Sequence, residues 1–390
     1  MEKEKNYDIV IGIPSFNEQT SIPFVTNQID KGLHKHYPNN SSLIIDCDNG
    51  STDLTKDTFN NIKTKTPSAF METKKGDIGK GYALKMLFEL TKKFNAKAGA
   101  CFDADLRSIT PDWIKLQLGP IMEGYDFISP DYVRYKYDAT ITNNICYPLM
   151  YGLFCHDIRN PIGGDFAYSR EMNNYWLEKA HWTKNTSLFG IDIFMTTNAI
   201  LGGFKVAQSN LGIKAHKPKD PSKSLSPMFR QVISTLFKTI ILNKEKLLEF
   251  NKVKKVPLLG NSKKVAPEEF YVDIESTKKR FISGFAKHKD LIKKCISKED
   301  FAKVWGCAYH NKVYLPQELW TKIVYDYIIT YKKYESNSSE ILQSFTPLWF
   351  ARIYSFINDT IDMNTEKADI FVQNQAKEFF KQRHYLLDRL

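Results

Sequence analysis

The feature that most constrains this chain is an alternation, within its first hundred residues, of short apolar runs and longer helical patterns. Continuous apolar runs are typical of strands buried on both faces, and strands that alternate with helices form parallel sheets. We therefore predict an α/β fold with a mostly parallel sheet. The predicted strands cover residues 7–13, 42–47 and 98–102, and the predicted helices cover 18–35, 53–65 and 79–95.

The second half of the chain follows a different pattern. From about residue 225 apolar residues recur at helical spacing, whereas lysine pairs, prolines and a glycine predict a loop over 251–268. We predict two domains, one over residues 1–225 and a helical extension over 226–390. Trp305, Cys307 and His310 lie close together, and we interpret them as helix packing. The later helices are predicted near 270–297, 316–335, 338–358 and 364–388.

Charge and composition exclude several classes of protein. A hydrophobic content of 42% is too high for a mostly disordered chain. The net charge of +11 lies mainly in residues 226–390, which hold 28 Lys and Arg against 19 Asp and Glu. This excess suits an acidic partner, a membrane surface or a solvated lysine face, and we favour the last. Residues 1–225 hold 27 basic against 25 acidic residues.

Cysteine usage and hydropathy indicate a compartment. The six cysteines form no CxxC pair, so we interpret them as reduced thiols of a cytoplasmic protein. No run approaches 18 apolar residues, and no apolar segment precedes the first predicted strand. We therefore expect neither a spanning helix nor a signal peptide.

Polar, turn-forming residues follow each of the three predicted strands, where parallel sheets bind their ligands. The segments are 13–18 (IPSFNE), 48–53 (DNGSTD) and 103–105 (DAD). Asp103 and Asp105 could share Mg²⁺ or Mn²⁺ if phosphates supply the other ligands, although such pairs also occur in surface turns. Likewise, Glu18 could contact a base or merely cap a helix, and Asn49 could belong to a simple turn.

Further motifs add candidates for chemistry. Residues 74–84 form a Gly/Lys loop that opens a helix, which suits a diphosphate. The loop lacks Walker A spacing, and no GxGxxG follows the first strand, which disfavours a dinucleotide oxidoreductase. His216 is a candidate third metal ligand or a structural histidine. Asp192 is a functional acid or a helix N-cap.

The order and spacing of these motifs resemble retaining glycosyltransferases of the GT-A fold, and more narrowly the glucosyl-3-phosphoglycerate synthase and mannosylglycerate synthase group. The resemblance covers about residues 7–240 and implies a Rossmann-like nucleotide-sugar domain over 1–225. It rests on the segments IPSFNE, DNGSTD, GKGYAL, FDADLRSITPDWI, PIGGDFAYSREM, FGIDIFM, NLGIKAHKPKD and SPMFRQVISTLF.

The resemblance implies roles for individual residues. Those implied to bind the nucleotide-sugar are Pro14, Phe16, Glu18, Asn49, Lys80, Asp103 and Ala104. Those implied to hold Mg²⁺ or Mn²⁺ are Asp105, Asp103 and His216. Those implied to act at the reacting sugar are Asp192, Lys80, Gly163 and Gly164, and those implied to contact the acceptor are Gly164, Asp165 and Lys214.

One departure from the family concerns the acceptor. The phosphoglycerate enzymes carry a Gly-rich, Arg- and Thr-containing phosphate-binding stretch where residues 143–155 here read NNICYPLMYGLFC. An acceptor phosphate would lose its N–H nest and guanidinium fork unless other basic residues compensate. We therefore slightly favour glycerate or a similar hydroxy acid over 3-phosphoglycerate. The basic residues that could compensate are Arg134, Lys136, Arg159 and Lys214.

The resemblance implies transfer of glucose or mannose from UDP-glucose, GDP-glucose or GDP-mannose with retention of configuration, a donor phosphate oxygen taking the proton. Three alternatives stay open. They are an inverting enzyme in which Asp192 is the general base for a lipid or polysaccharide acceptor, a nucleotidyltransferase, and a binder without catalysis. We expect a homodimer by family analogy, no nucleic-acid partner and no membrane partner.

Overall fold

The computed structural model describes residues 6–216, 225–261, 266–269 and 271–390. The strands in these ranges are β1 (Ile9–Ser15), β2 (Ser42–Asp48), β3 (Ser68–Glu72), β4 (Ala98–Cys101), β5 (Phe127–Val133), β6 (His156–Asp157), β7 (Phe166–Ser169), β8 (Val206–Ile213), β9 (Lys254–Lys255) and β10 (Leu258–Leu259).

Helices make up most of the remaining described structure. The first seven are α1 (Ile22–His36), α2 (Thr55–Asn60), α3 (Lys80–Lys93), α4 (Pro111–Met122), α5 (Tyr147–Gly152), α6 (Arg170–Glu178) and α7 (Ile191–Leu201). The others are α8 (Leu225–Leu242), α9 (Lys244–Glu249), α10 (Ile274–Cys295), α11 (Lys298–Tyr309), α12 (Gln317–Lys333), α13 (Ser338–Thr360), α14 (Thr365–Lys381) and α15 (Arg383–Leu387). A π-helical turn covers Thr142–Cys146, and a 3₁₀ turn covers Glu335–Asn337.

Within the described ranges, eight strands form one sheet in the order β10-β8-β5-β7-β4-β1-β2-β3. Every neighbouring pair is parallel except for β7, which runs antiparallel to both β4 and β5. This confirms the predicted α/β class with its mostly parallel sheet, and it agrees with the GT-A fold that the resemblance implies. The carboxyl ends of β1, β2 and β4 therefore lie along one edge.

The sheet is buried on both faces because its central strands are apolar throughout. On β1, Ile9, Ile11 and Ile13 pack with α1 and α4, whereas Val10 points to the opposite face and packs with α3, α6 and α7. A Cβ at Gly12 would lie 2.4 Å from Leu87 Cδ2, so glycine lets α3 approach β1 closely. This two-sided packing fixes the strand ends from which the candidate site is built.

A late strand predicted over 204–211 is confirmed as β8, whereas four strands of the sheet, β3, β5, β7 and β10, were not predicted. β3 has partly exposed residues at the sheet edge, β5 contains Pro130 and Asp131, and β7 is only four residues long, so none gives a strong periodic signal. The helix predicted from residue 18 begins at Ile22, because Pro23 stands in the first turn. Within the loop predicted over 251–268, β10 pairs with β8, and residues 262–265 lie outside the described residues.

The chain divides into two compact units, and the predicted boundary at 225 needs correction. The first unit contains residues 1–133, 160–217 and 256–268, and the second contains 134–159, 218–255 and 269–390. Residues 134–159 thus leave the domain predicted over 1–225, and residues 256–268 join it. Sequence periodicity misses this division because the regular elements of the exchanged segments are only two to six residues long.

The second unit is helical, as predicted, and has its own aromatic core. The Phe345 ring lies 5.5 Å from Trp320 and 4.5 Å from Tyr327, and Phe229 stacks on Trp349 at 4.3 Å. These rings pack against one another inside the second unit. None of the helices in the described ranges is long and apolar enough to cross a membrane.

Candidate functional site

The loops that follow β1 and β2 hold each other. The Asn17 backbone N–H donates to Ser51 Oγ (2.8 Å), and Asn17 Oδ1 accepts from the Thr52 N–H (2.8 Å). The Glu18 N–H donates to Thr55 Oγ1 (2.9 Å). Because β1 and β2 are parallel neighbours, their two polar segments meet at one edge, as the sequence predicts.

The residues predicted to bind a base occupy this edge in different environments. Pro14 is half-buried in β1, whereas the Phe16 ring just beyond the strand is 53% exposed and open to stacking. The Glu18 carboxylate accepts a hydrogen bond from the Ser21 hydroxyl, in the turn before α1. Phe16 is therefore the best placed of the three to contact a planar ligand.

Asn49 anchors the Gly/Lys loop. Its Oδ1 accepts from the Gly79 N–H (2.5 Å), and its Nδ2 donates to Asp77 O (2.9 Å) and Thr73 Oγ1 (3.0 Å). These three hydrogen bonds already engage the side-chain amide of Asn49, which was predicted to contact a nucleotide. We therefore correct its role to holding the loop that carries Lys80.

The start of α3 is not an open phosphate cradle, contrary to the prediction. The Gly81 N–H donates to Leu188 O (3.0 Å) and the Tyr82 N–H to Ser187 O (3.0 Å). A Cβ at Gly81 would lie only 2.1 Å from Thr186 O, so glycine is needed for this approach. Because these N–H groups are occupied, the loop can meet an anion only with its lysine side chains, of which Lys80 lies at the start of α3.

Two lysines and three aspartates form a buried ion-pair network at the carboxyl edge. Lys80 Nζ lies 2.8 Å from Asp103 Oδ1 and 3.1 Å from Asp192 Oδ1. Lys214 Nζ lies 2.8 Å from Asp103 Oδ2 and 2.9 Å from Asp165 Oδ2. Asp103 thus sits between both ammonium groups, and the structure brings together five residues that the sequence placed far apart.

The network shifts the protonation of its members in opposite directions. Burial alone would raise the pKa of Asp103, but Lys214 and Lys80 hold it well below its usual range. Burial would lower the pKa of Lys80, yet Asp103 and Asp192 raise it well above its usual range. Burial raises the pKa of Asp165 and Asp192 despite their lysine partners. Lys80 therefore remains cationic and Asp103 anionic.

Asp165 and Lys214 do not face an acceptor, and this corrects their predicted role. Asp165 is fully buried, and its Oδ1 accepts from the Asp103 N–H (2.8 Å). An ammonium group has three protons, and Lys214 Nζ contacts Asp103, Asp165 and Gly163 O (2.7 Å). Tyr132 Oη also donates to Asp165 Oδ2. The buried side chains of Asp165, Lys214 and Tyr132 therefore hold Asp103 in position.

Tyr132 is a site residue that the sequence did not reveal. It lies near the end of β5, and its hydroxyl donates to the buried Asp165 of the network. A signal existed, since Tyr132 follows an apolar stretch as the other site segments do, but Pro130 obscured that strand. Tyr132 could therefore have been identified only if residues 127–133 had been predicted as a strand.

The two carboxylates of the DxD motif have different surroundings. Both oxygens of Asp103 accept from lysines, whereas the half-buried Asp105 makes no hydrogen bond or ion pair with any described residue. Ala104 between them is buried in the core, so its methyl group is not available to a donor. Asp105 is thus the carboxylate of the motif that has no competing cationic partner among the described residues.

The segments that carry Asp105 and His216 lie side by side. The Arg107 N–H donates to Ala215 O (2.8 Å), and Arg107 Nη2 donates to His216 O (3.1 Å). Residues 217–220, the end of the predicted motif, lie outside the described residues. In the described part of the chain, no three His, Cys, Asp or Glu groups could hold a metal ion together.

Asp103, Asp105 and His216 stay the predicted metal set, and they differ in what already contacts them. Each oxygen of Asp103 accepts from one lysine, and those ammonium groups would compete with an ion, whereas no described residue engages Asp105. One or two carboxylates with phosphate oxygens are an ordinary set for Mg²⁺. The residues present fit such an ion.

Gly164 makes room for Asp103. Its φ of +91° favours glycine, and a Cβ there would lie 2.2 Å from Asp103 Oδ2. Gly163 is also close-packed, since a Cβ would lie 2.3 Å from Pro130 Cγ. Both predicted glycines therefore provide space that a Cβ would fill, Gly164 for Asp103 and Gly163 for Pro130.

Gly164→Ala should lower both stability and activity, because the new methyl group displaces the Asp103 carboxylate. Gly124→Ala is a matched control, since Gly124 has a φ of +90° but nothing within 4 Å of the added Cβ. We expect the control to cost about 1 kcal/mol and Gly164→Ala at least about 2 kcal/mol, measured by urea unfolding. Equal losses in the two variants would contradict the crowding argument.

Three of the four basic residues considered for an acceptor phosphate are engaged within the second unit, and Lys214 is engaged in the network of the first unit. Arg134 pairs with Asp138 (2.9 Å), and Arg159 pairs with Asp369 (2.7 Å). Lys136 Nζ donates to three carbonyl groups at the end of α13, at 2.7–3.0 Å. The predicted compensation for the missing phosphate-binding stretch is therefore not provided by free side chains.

No protein-family model and no curated protein matches this chain. Solved structures of glucosyl-3-phosphoglycerate synthase from Mycobacterium tuberculosis are similar to it. One, with Mn²⁺, UDP and glucosyl-3-phosphoglycerate, is 23% identical over 60% of this chain and 80% of that chain, with a TM-score of 0.49. Another, with Mg²⁺ and UDP, is 23% identical over 60% and 79%, with a TM-score of 0.48. A likeness this distant assigns no role to any residue here.

Proposed function

We propose that this chain is a nucleotide-sugar-dependent glycosyltransferase that moves a hexose to glycerate or a similar small hydroxy acid with retention of configuration. The observation that carries the proposal is the Lys80–Asp103–Lys214 network at the carboxyl edge, with the unpartnered Asp105 two residues further on. Buried charges are costly unless paired, so a network of five at a ligand-binding edge indicates chemistry there.

Lys80 supplies fixed positive charge where a nucleoside diphosphate would leave. Its ammonium group is held by Asp103 and Asp192, and its raised pKa keeps it protonated at neutral pH. Charge already oriented before the reaction stabilises a leaving diphosphate without reorganisation of solvent. Asp165, Lys214 and Tyr132 hold Asp103, and Asp103 in turn fixes the position of Lys80.

Asp105 and His216 would hold Mg²⁺ or Mn²⁺ together with diphosphate oxygens of the donor. Asp105 is the carboxylate of the motif that no described residue engages, and the backbone hydrogen bond from Arg107 to Ala215 joins the two segments. When bound, such an ion acts as a Lewis acid that offsets the charge of the departing diphosphate.

The buried carboxylates favour direct transfer over a double displacement as the route to retention. Asp103, Asp165 and Asp192 are each paired with a lysine, so none is an uncommitted covalent nucleophile. By analogy with the family that the sequence resembles, a donor phosphate oxygen takes the acceptor proton. Asp192 then orients hydroxyl groups of the sugar or acceptor.

Glycerate is favoured because the phosphate-binding features of the related enzymes are missing. The segment 143–155 lacks their Gly, Arg and Thr pattern, and Arg134, Lys136 and Arg159 are already engaged. A doubly charged phosphate has no evident partner among these groups, whereas a carboxylate needs fewer donors.

The test is a matrix of UDP-glucose, GDP-glucose and GDP-mannose with glycerate and 3-phosphoglycerate, with Mn²⁺ or with EDTA, followed by product mass. We expect a hexosyl-glycerate only in the presence of metal, and α-configured product from an α-linked donor by NMR. A product of inverted configuration would favour the inverting alternative, and pyrophosphate release from a nucleoside triphosphate would favour nucleotidyl transfer. Donor binding without turnover on any acceptor would contradict the proposal.

A further inference from the structure

The helices α10 and α11 of the second unit carry exposed aromatic rings that the proposed reaction does not use. Trp305 is 40% and Tyr309 70% exposed, and their rings stack at 5.1 Å with an interplanar angle of 25°. This corrects the interpretation of Trp305 as helix packing. The inner face of α11 is already filled by the buried Val304, so the two rings project beyond a completed core.

Lysines surround these rings. On α11, Lys298 lies seven residues before Trp305 and so shares its stripe, and on α10, Lys289 and Lys293 are one turn apart. Lys289 Nζ lies 5.9 Å from the Trp305 ring centre, which places the two stripes side by side. We name these three lysines, with Trp305 and Tyr309, the basic-aromatic face.

The lysines of this face have no acidic partner among the described residues. Lys289, Lys293 and Lys298 make no ion pair with any described residue, while the nearby Glu299 is paired with Lys303 (2.7 Å). Residues 274–315 hold ten Lys and Arg against four Asp and Glu, which is six of the nine excess positive charges of residues 226–390. Asp290 is an exposed acidic residue on the second half of α10. The face is thus strongly electropositive.

We propose that the basic-aromatic face is a peripheral docking surface for membranes that contain anionic phospholipids. Trp and Tyr side chains insert at the headgroup level, and unpaired lysines are attracted to anionic lipid, so their combination on one face matches that surface. Nucleic acid would use the lysines, but stacked rings that cover each other offer fewer faces to bases. Peripheral docking requires no spanning helix, although it changes the expectation of no membrane partner.

Co-sedimentation of the full chain with vesicles tests this surface. We expect binding to phosphatidylcholine vesicles that contain phosphatidylglycerol, none to phosphatidylcholine alone, and weaker binding as salt rises. Lys293→Glu with Lys298→Glu should weaken binding at least about tenfold, as should Trp305→Ala with Tyr309→Ala. All four residues are exposed or lie outside the network, so transfer to glycerate should remain unchanged.

Matched controls separate a specific surface from general charge. Lys31→Glu with Lys63→Glu makes the same change of net charge on exposed helix and loop positions of the first unit, and Tyr271→Ala removes a ring that is 86% exposed at the other end of α10. Both should bind as the unaltered chain does. Absence of binding to anionic vesicles, equal losses in the controls, or binding to single-stranded RNA in place of vesicles would overturn the proposal.

Discussion

Asp105→Asn is expected to reduce metal-dependent hexosyl transfer at least about 100-fold while the unfolding free energy stays unchanged. The two effects should separate because the Asp105 carboxylate has no partner among the described residues, so loss of its charge removes no contact of the fold. An amide is a weaker ligand for a hard cation than a carboxylate. Steady-state rates at saturating donor and calorimetric binding of UDP with and without Mn²⁺ measure the two consequences.

The matched control for this variant is Asp112→Asn. Asp112 is an exposed carboxylate in the first turn of α4 that pairs with Lys35 (2.7 Å) and His36 (2.9 Å), so its loss should change neither rate nor metal dependence. In the unaltered chain Mn²⁺ should tighten UDP binding, and in Asp105→Asn it should not. If Asp105→Asn keeps this Mn²⁺ effect, the assignment of the metal ligand is wrong.

Lys214→Met should produce the largest loss of stability, about 3–5 kcal/mol in urea unfolding at neutral pH. The side chain of Lys214 is only 3% exposed, and its removal leaves Asp165 buried without a counter-charge while Asp103 retains only Lys80. Lys35→Met, which breaks an exposed pair with Asp112, should cost less than about 0.5 kcal/mol. Loss of similar size in both variants would contradict the role of burial.

The deficit of Lys214→Met should shrink as the pH falls. Burial already raises the pKa of Asp165, and without the ammonium group it rises further, so the folded state takes up a proton before the unfolded state does. Folded stability therefore increases as pH falls from neutral toward the ordinary aspartate range of about 4. The contribution of Asp103, whose folded pKa is lowered, persists over this range and is lost only as the pH falls below about 4.

A second substitution keeps this prediction testable if Lys214→Met folds poorly. Adding Asp165→Asn removes the uncompensated charge and leaves an amide oxygen for the Asp103 N–H, so part of the stability should return. A deficit that does not vary with pH, together with no rescue by Asp165→Asn, would show that lost packing and not charge explains the effect.

The central sheet could be predicted from the sequence because β1, β2 and β4 are apolar on both faces and end in polar turns. The edge strand β3 and the interrupted strand β5 could not, since half-exposed residues and Pro130 give no clear period. The same limit applied to α11, whose exposed rings look like core residues in sequence alone. The sequence pattern therefore predicts the buried, uninterrupted strands but not the edge strand or the strand that contains a proline.

For the candidate site, motif order and family resemblance identified which residues gather but not what each contacts. Lys214 and Asp103 are 111 residues apart, and their pairing depends on how β8 and β4 are placed in the sheet. The occupation of the α3 N-terminus by residues 186–188 likewise depends on tertiary packing. Roles that depend on such contacts, including those of Asn49 and Asp165, therefore required the structure.

The repeated passage of the chain between its two units limits how a gene for this protein can be shortened. A stop codon after residue 225 would delete Leu258 and Leu259, which form β10 at one edge of the sheet. It would also delete α14, against which α5 of the segment 134–159 packs. Neither half is a portable module. Evolutionary shuffling or laboratory fusion of the first unit must therefore carry residues 134–159 and those after 225 with it.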